Sequence, residues 1–267
     1  DMPEREQGAE ELSGENLDIT FEQVSFSYEK ERPILKDVSF HISKGQFVSL
    51  VGESGCGKST VASLILGRNR QYQGRILLGG TDLKKIKEKS LMEHVTLVRH
   101  NSYLFKGTVE ENLLMGNPNA TQEEMTEALK KVNLWEFLKG QEGLSTKLAE
   151  KGSNFSGGQC QRLCIARALL HDTEIYIFDE AASNIDMESE EIIMDVIRQL
   201  AETKTVLLIS HRLANVKKSH CIYVLKEGKI VEKGTHKELL EQQGAYKEMY
   251  MTQKNLENYG LEQEASA

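Results

Sequence analysis

Gln46-Phe47-Val48-Ser49-Leu50-Val51-Gly52-Glu53-Ser54-Gly55-Cys56-Gly57-Lys58-Ser59-Thr60-Val61-Ala62-Ser63-Leu64-Ile65-Leu66 is the stretch from which the rest of the chain is best read. Gln46 to Val51 is a short apolar run of the kind buried in a parallel sheet, and Ser59 to Leu66 has helical spacing with good helix formers. Between them Gly52 to Ser59 fits GxxxxGK[ST] without a mismatch, in the strand, loop, helix setting that the pattern requires. Glycines let the backbone fold around phosphate oxygens, the N–H groups and helix start supply partial positive charge, and Lys58 adds a full one. The hydroxyl of Ser59 suits Mg2+, and Thr60 completes the candidate nucleotide-binding run. A glycine-rich turn preceding a helix is the plain alternative, and the context favours phosphate. The loop alone points to a nucleoside triphosphate without separating kinases, GTPases and ATPases.

Working outward, Ile19 to Tyr28 and Leu35 to Ile42 alternate like strands of a half-exposed sheet, divided by the polar turn at 29–33. Further strands are expected at Gly74 to Leu78, Val95 to Val98, Glu174 to Phe178, Thr205 to Ile209 and Cys221 to Leu225. Helices are expected at 121–139, 157–171 and 187–202, and helical signals displace strands between about Asn101 and Ala166. The expected fold class is α/β: a P-loop NTPase core with a mostly parallel sheet, an N-terminal antiparallel β subdomain and an inserted α-helical subdomain near 101–166. Residues 1–16, with five glutamates, read as a solvated linker, and 235–267 reads as helix with its last eight or so residues frayed.

At 267 residues, with 39% hydrophobic and 28% charged residues and three prolines, the chain is an ordinary globular protein able to bury a core. The net charge of -8 gives no global attraction to nucleic acid, so any anion must be held by local geometry. The four cysteines, Cys56, Cys160, Cys164 and Cys221, form no CxxC pair and no framework spacing, which favours a reducing, cytosolic setting over a zinc site or disulfides. No apolar run approaches the roughly 20 residues of a membrane-spanning helix, and the start lacks the parts of a signal peptide.

Two more stretches carry chemistry. Ile175 to Phe178 is a buried-type strand ending in Asp179 and Glu180, a costly pairing unless a cation or a reaction uses it. Asp179 suits Mg2+ through water, and Glu180 suits proton abstraction from an attacking water. A strand end with solvated acids is the plain reading. Ser156-Gly157-Gly158-Gln159 precedes a helix and forms a second anion-binding helix start, or a simple cap.

In order and spacing over about 18–250, the phosphate loop, Phe155-Ser156-Gly157-Gly158-Gln159, the Asp179-Glu180 strand, Ser183-Asn184-Ile185-Asp186 and Ser210-His211-Arg212 resemble the ATP-binding cassette family. The resemblance implies an ATPase using ATP and Mg2+, whose cassettes pair head to tail so that the Ser156–Gln159 loop of one closes on ATP held by another. It implies that Tyr28 stacks on adenine, that Ser183 to Asp186 line the dimer seam, and that His211 contacts the γ-phosphate and steadies the Glu180 water. His41, His94, His171, His220 and His236 read as surface or structural.

Leu104 to Leu113, the tail Gly234 to Leu240 and Leu148 to Gly152 are similar to segments of exporter cassettes. The resemblance then implies a linker over 1–16 from a preceding membrane domain, a cassette over 17–250, a helical tail over 251–267, and a position on the cytoplasmic face of the cell membrane. Expected partners are an exporter's transmembrane domain and a second cassette, identical or different, with no nucleic acid. The alternatives are a soluble cassette ATPase acting on nucleic acid or ribosomes, and a regulatory half of a heterodimer with weak turnover. His100 stands where these cassettes carry a metal-contacting glutamine. An imidazole nitrogen suits Mg2+ less than an amide oxygen, so the expectation is a modest ATPase that slows on acidification as His100 protonates.

Overall fold

Alternation sets the first two strands and a glycine loop ends the third. A computed structural model describes residues 10–13, 17–29 and 32–264, with side chains as far as Leu256. In chain order the elements are β1 (Ile19–Glu29), β2 (Arg32–Ile42), β3 (Phe47–Val51), α1 (Lys58–Ile65), β4 (Gln73–Leu78), β5 (Thr81–Asp82), α2 (Glu88–His94), β6 (Val95–Arg99) and β7 (Gly107–Thr108). They continue with α3 (Val109–Leu114), α4 (Gln122–Lys131), α5 (Trp135–Lys139), β8 (Lys147–Leu148), α6 (Gly157–His171), β9 (Ile175–Asp179) and α7 (Met187–Leu200). The last are β10 (Thr205–Ile209), β11 (Cys221–Lys226), β12 (Lys229–Gly234), α8 (His236–Gln242) and α9 (Ala245–Glu264). The chain divides into two units, Asp1–Leu91 with Leu207–Ala267, and Met92–Val206.

In the first unit β2, β1, β4 and β5 lie side by side as an antiparallel sheet. Inward-facing Phe21 and Phe40 stack at 4.3 Å between ring centroids, and Phe40 meets Tyr223 of β11 at 5.4 Å. The buried strand β3 pairs in parallel with β11, from Cys221↔Val48 to Val224↔Val51, and β12 adds an antiparallel edge to β11. Residues in a strand buried throughout need no polar alternation, which is why β3 reads as a continuous apolar run.

The second unit holds the parallel pair β6 and β9, in register from Val95↔Ile175 to Arg99↔Asp179. All five residues of β9 are buried, each large one stabilising the fold by about 1.5–3 kcal/mol. In the same unit α6 packs on β6, and α3, α4 and α7 contact α6. The α/β class, the parallel strand pairs and the antiparallel N-terminal sheet are as the sequence predicts. The expected helical subdomain at 101–166 lies inside this unit.

Several boundaries differ from the sequence reading, for local reasons. The expected turn at 29–33 is shorter, because Arg32 and Pro33 pair with Glu29 and Ser27; Pro33 is tolerated on an edge strand, where its missing N–H costs no ladder bond. Part of the expected linker is docked: Glu10 N–H donates to Lys85 C=O, Glu10 C=O accepts from Lys87 N–H, and Leu12 is buried. Residues 1–9 and 14–16 of that linker, and Lys30 and Glu31 of the turn, lie outside the described residues.

The expected helix at 121–139 is two helices. Asn133 takes a left-handed φ of 50°, its N–H donates to Lys130 C=O, and Leu134 N–H reaches back to Leu129 C=O, a Schellman stop. The region around 101–166 is not free of strands, since β7 and β8 form a two-residue antiparallel pair. The predicted C-terminal helix is also broken, at Gln243 with φ 56°, and restarts because the Glu232 carboxylate accepts the N–H groups of Ala245 and Tyr246. Its backbone is helical through Glu264, and 265–267 lie outside the described residues. Helices α2 and α3 and strand β12 are further elements that periodicity did not pick out.

Candidate functional site

The phosphate loop is shaped by contacts that exclude side chains. A Cβ on Gly52 would stand 2.1 Å from Leu225 C=O, and one on Gly57, at φ 112°, would stand 2.8 Å from Leu35 Cδ2. Gly57 is the N-cap of α1 and supplies no side-chain cap, so the first-turn N–H groups of that helix face the loop. Lys58 is 5% exposed, and its Nζ donates to the carbonyls of Gly52 at 2.8 Å and Glu53 at 2.9 Å. This is a cation folded back on its own loop and surrounded by dipoles. Glu53, Ser54, Gly55 and Ser59 are exposed, whereas Cys56 and Thr60 are buried. Burial pushes the Cys56 thiol up from its ordinary pKa, with Lys58 pulling the other way.

Two other predicted residues lie in the same unit. Tyr28 is the penultimate residue of β1, with 60% of its surface exposed and its ring edge-on to Phe26 at 4.8 Å. His211 follows β10 with its side chain exposed, and the backbone around it is held. Ser210 Oγ accepts from Arg212 N–H at 3.0 Å, and Gln253 of α9 donates to His211 C=O while accepting from Leu213 N–H at 2.9 Å. Gly52, Glu53, Ser54 and His211 line one cavity of about 340 Å³ with residues of α9 and the end of β11.

The second unit gathers His100, Asp179, Glu180 and the Ser156–Gln159 turn. Asp179 is 4% exposed at the end of β9, and Glu180 follows with a left-handed φ of 54°, a conformation that costs energy and is over-represented where a side chain must be aimed. Ser183 supports it, donating its N–H at 3.0 Å and its hydroxyl at 2.7 Å to Glu180 C=O. His100 is exposed, and its N–H donates to Asp179 C=O at 3.3 Å. Arg99 Nε lies 3.6 Å from Asp179 Oδ2, and Gln161 of α6 donates to Arg99 C=O at 2.9 Å.

Ser156 caps α6 reciprocally: its Oγ accepts from Gln159 N–H, and Gln159 Oε1 accepts from Ser156 N–H. Gly158 is buried where a Cβ would meet Ser189 Oγ at 2.1 Å and Asp186 Oδ2 at 2.6 Å. Asp186 in turn caps α7, and hydrogen bonds from the N–H and hydroxyl of Ser189 hold its carboxyl below the usual range. One polar joint therefore fixes the starts of both helices.

A hydroxyl at Ser59 and a carboxylate at Asp179 are hard oxygen donors that suit Mg2+; the imidazole of His100 does not. Sequence reading missed Arg99, Gln253 and Glu232. Arg99 was detectable as the neighbour of His100 facing the Asp179 register, whereas Gln253 meets His211 across 42 residues and has no local signal. The remaining histidines are structural or surface groups; for example, His220 Nδ1 accepts from Phe47 N–H and His171 Nδ1 meets Thr96 Oγ1.

A family profile described as "ABC transporter" matches residues 35–183. An uncharacterized ABC transporter ATP-binding protein of Haemophilus influenzae is 49% identical over 242 residues, which is 91% of this chain and 43% of that protein. A putative multidrug export ATP-binding/permease protein of Staphylococcus aureus is 42% identical, over 92% of this chain and 43% of that protein. Among solved structures, a bacterial Atm1-family ABC exporter with ATP bound is similar with a TM-score of 0.87 and 35% identity, over 95% of this chain and 44% of that one. The chain spans less than half the length of these relatives.

Proposed function

The chain belongs to the ABC transporter family, and from that premise we propose that it is the ATP-binding and ATP-hydrolysing domain of an exporter, at the cytoplasmic face of a membrane. The observation that carries the proposal is the caged Lys58 ammonium beside the uncapped start of α1, a preorganised anion cradle. Residues 17–250 form the cassette in this reading, preceded by a linker at 1–16 and followed by a helical tail at 251–267. The names of the S. aureus and Atm1-family relatives support export.

Residue roles follow. Gly52 to Thr60 hold the β- and γ-phosphates, and the exposed ring of Tyr28 stacks on adenine. Ser59 and Asp179 hold Mg2+, which when bound neutralises charge developing on the phosphates. Glu180 takes a proton from the attacking water, His211 contacts the γ-phosphate, and His100 stands on the metal side. Ser156 to Gln159 close over the nucleotide of a second cassette. A groove of about 430 Å³ in the second unit, lined by Met92, Tyr103, Phe105 and Met115, receives the transmembrane domain. Those four residues are between 45% and 60% exposed, more apolar surface than scattered exposure explains. Asn112 stiffens its rim by closing the Phe105–Thr108 loop with bonds of 2.9 to 3.0 Å.

Glu180→Gln tests the assignment. It should lower kcat by about 10² to 10⁴ while leaving ATP binding intact and favouring a closed dimer. Parental turnover in that variant would remove Glu180 from the chemistry.

A further inference from the structure

We infer that Gln253 on α9 is a positioning residue for His211, so that the C-terminal helix sets the geometry at the γ-phosphate end of the site. The inference rests on the proposed role of His211.

One amide spans the loop. Gln253 Nε2 donates to His211 C=O, and Oε1 accepts from Leu213 N–H at 2.9 Å. The two bonds fix the peptide planes on either side of Arg212, and the first of these planes carries the carbonyl of His211. Ser210 makes the internal half of the clamp through Arg212 N–H, and Leu213 is buried. The His211 side chain itself is exposed, and these bonds hold the backbone that carries it.

Helix α9 is a firm base for such a clamp. Its first N–H groups are capped by Glu232 of β12, and Tyr246 is fully buried with its hydroxyl 2.7 Å from His236 Nδ1. One turn later Tyr250 lies parallel to Tyr246, at 6.5 Å between ring centroids. Ala245, Glu248, Met249, Thr252 and Gln253 form one wall of the cavity that Gly52 to Ser54 and His211 line from the other side. Helix α9 therefore faces the phosphate loop and holds the histidine loop at once. Gln253 touches no reacting atom and acts through His211.

The test is steady-state ATP hydrolysis by the full chain carrying Gln253→Met, Gln253→Glu or His211→Ala, with thermal unfolding of each. Gln253→Met keeps length and packing but removes both bonds, and it should lower kcat about tenfold, since small misplacements of a reacting geometry cost that much or more. KM and Tm should stay near the parent. Gln253→Glu keeps the acceptor for Leu213 N–H but sets an acceptor-only carboxylate oxygen against His211 C=O, and should be impaired at least as much as Met. Parental kcat in Gln253→Met or Gln253→Glu, with His211→Ala impaired, overturns this inference alone; so does a loss carried by KM and Tm. Parental kcat in His211→Ala overturns the reading of His211 and this inference with it.

Discussion

Arg99 Nε stands 3.6 Å from Asp179 Oδ2, placing a guanidinium beside the buried carboxylate that ends β9. Among the described residues Arg99 Nε makes no hydrogen bond, so the contact is an ion pair without a donor's geometry. A metal ion coming to Asp179 meets a carboxylate already partly neutralised. At this separation the attraction is worth at least about 1 kcal/mol, or roughly fivefold in concentration. Arg99→Gln should therefore lower the half-saturating Mg2+ by about that factor, read both from ATPase titrations and from Mn2+ binding by electron paramagnetic resonance. Unchanged metal titrations would show that Arg99 does not compete for Asp179.

Gly158→Ala probes the joint between α6 and α7. The added methyl would sit 2.1 Å from Ser189 Oγ and 2.7 Å from Ser189 Cβ, and the short serine has no far end to swing away. The helix starts must separate, at a cost of about 1–3 kcal/mol. A lower Tm is expected, together with weaker ATP-driven dimerisation because the Ser156–Gln159 turn moves. Gly157→Ala, where a Cβ meets nothing within 4 Å, is the control and should leave Tm near the parent. Equal unfolding of the two variants would remove the steric argument.

Legibility followed locality. The strand, loop and helix at 47–65 were readable because a glycine-rich loop between a buried strand and a helix keeps its marks at fixed spacing along one short segment, and the helix start at Ser156–Gln159 and the strand end at Asp179–Glu180 are equally local. The division of 121–139 depended on Asn133 adopting a left-handed turn, which helical periodicity cannot register. The docking of Glu10 on Lys85 and Lys87, and of Gln253 on His211, joins residues far apart in sequence. Such pairs follow from the packed fold, and composition had presented Glu10 as part of a solvated run.

Cys56 supplies a pH dependence. Burial raises its thiol pKa, outweighing the pull of Lys58, so at a given pH the folded chain presents less thiolate than a free cysteine. Alkylation by iodoacetamide should be slower than for an unstructured thiol at neutral pH and should climb as pH rises beyond the free thiol's titration range. Peptide mass analysis of Cys56 against pH, with and without ATP, measures this, and ATP should slow modification by filling the loop. A Cys56 profile that titrates below that of a free thiol would reverse the sign and give Lys58 the upper hand.

His100→Gln bears on turnover itself. The backbone there is fixed independently of the side chain, because His100 N–H donates to Asp179 C=O and Arg99 pairs with Asp179 at the end of the β6–β9 ladder. The side chain is exposed, so the substitution should leave Tm unchanged and alter only what faces the metal side. An amide oxygen is a harder donor than an imidazole nitrogen. Turnover should therefore rise, by about tenfold at the lower end of effects seen for groups around a metal. Identical rates for parent and variant at every pH would place His100 outside the catalytic machinery and leave Glu180 and His211 to account for hydrolysis.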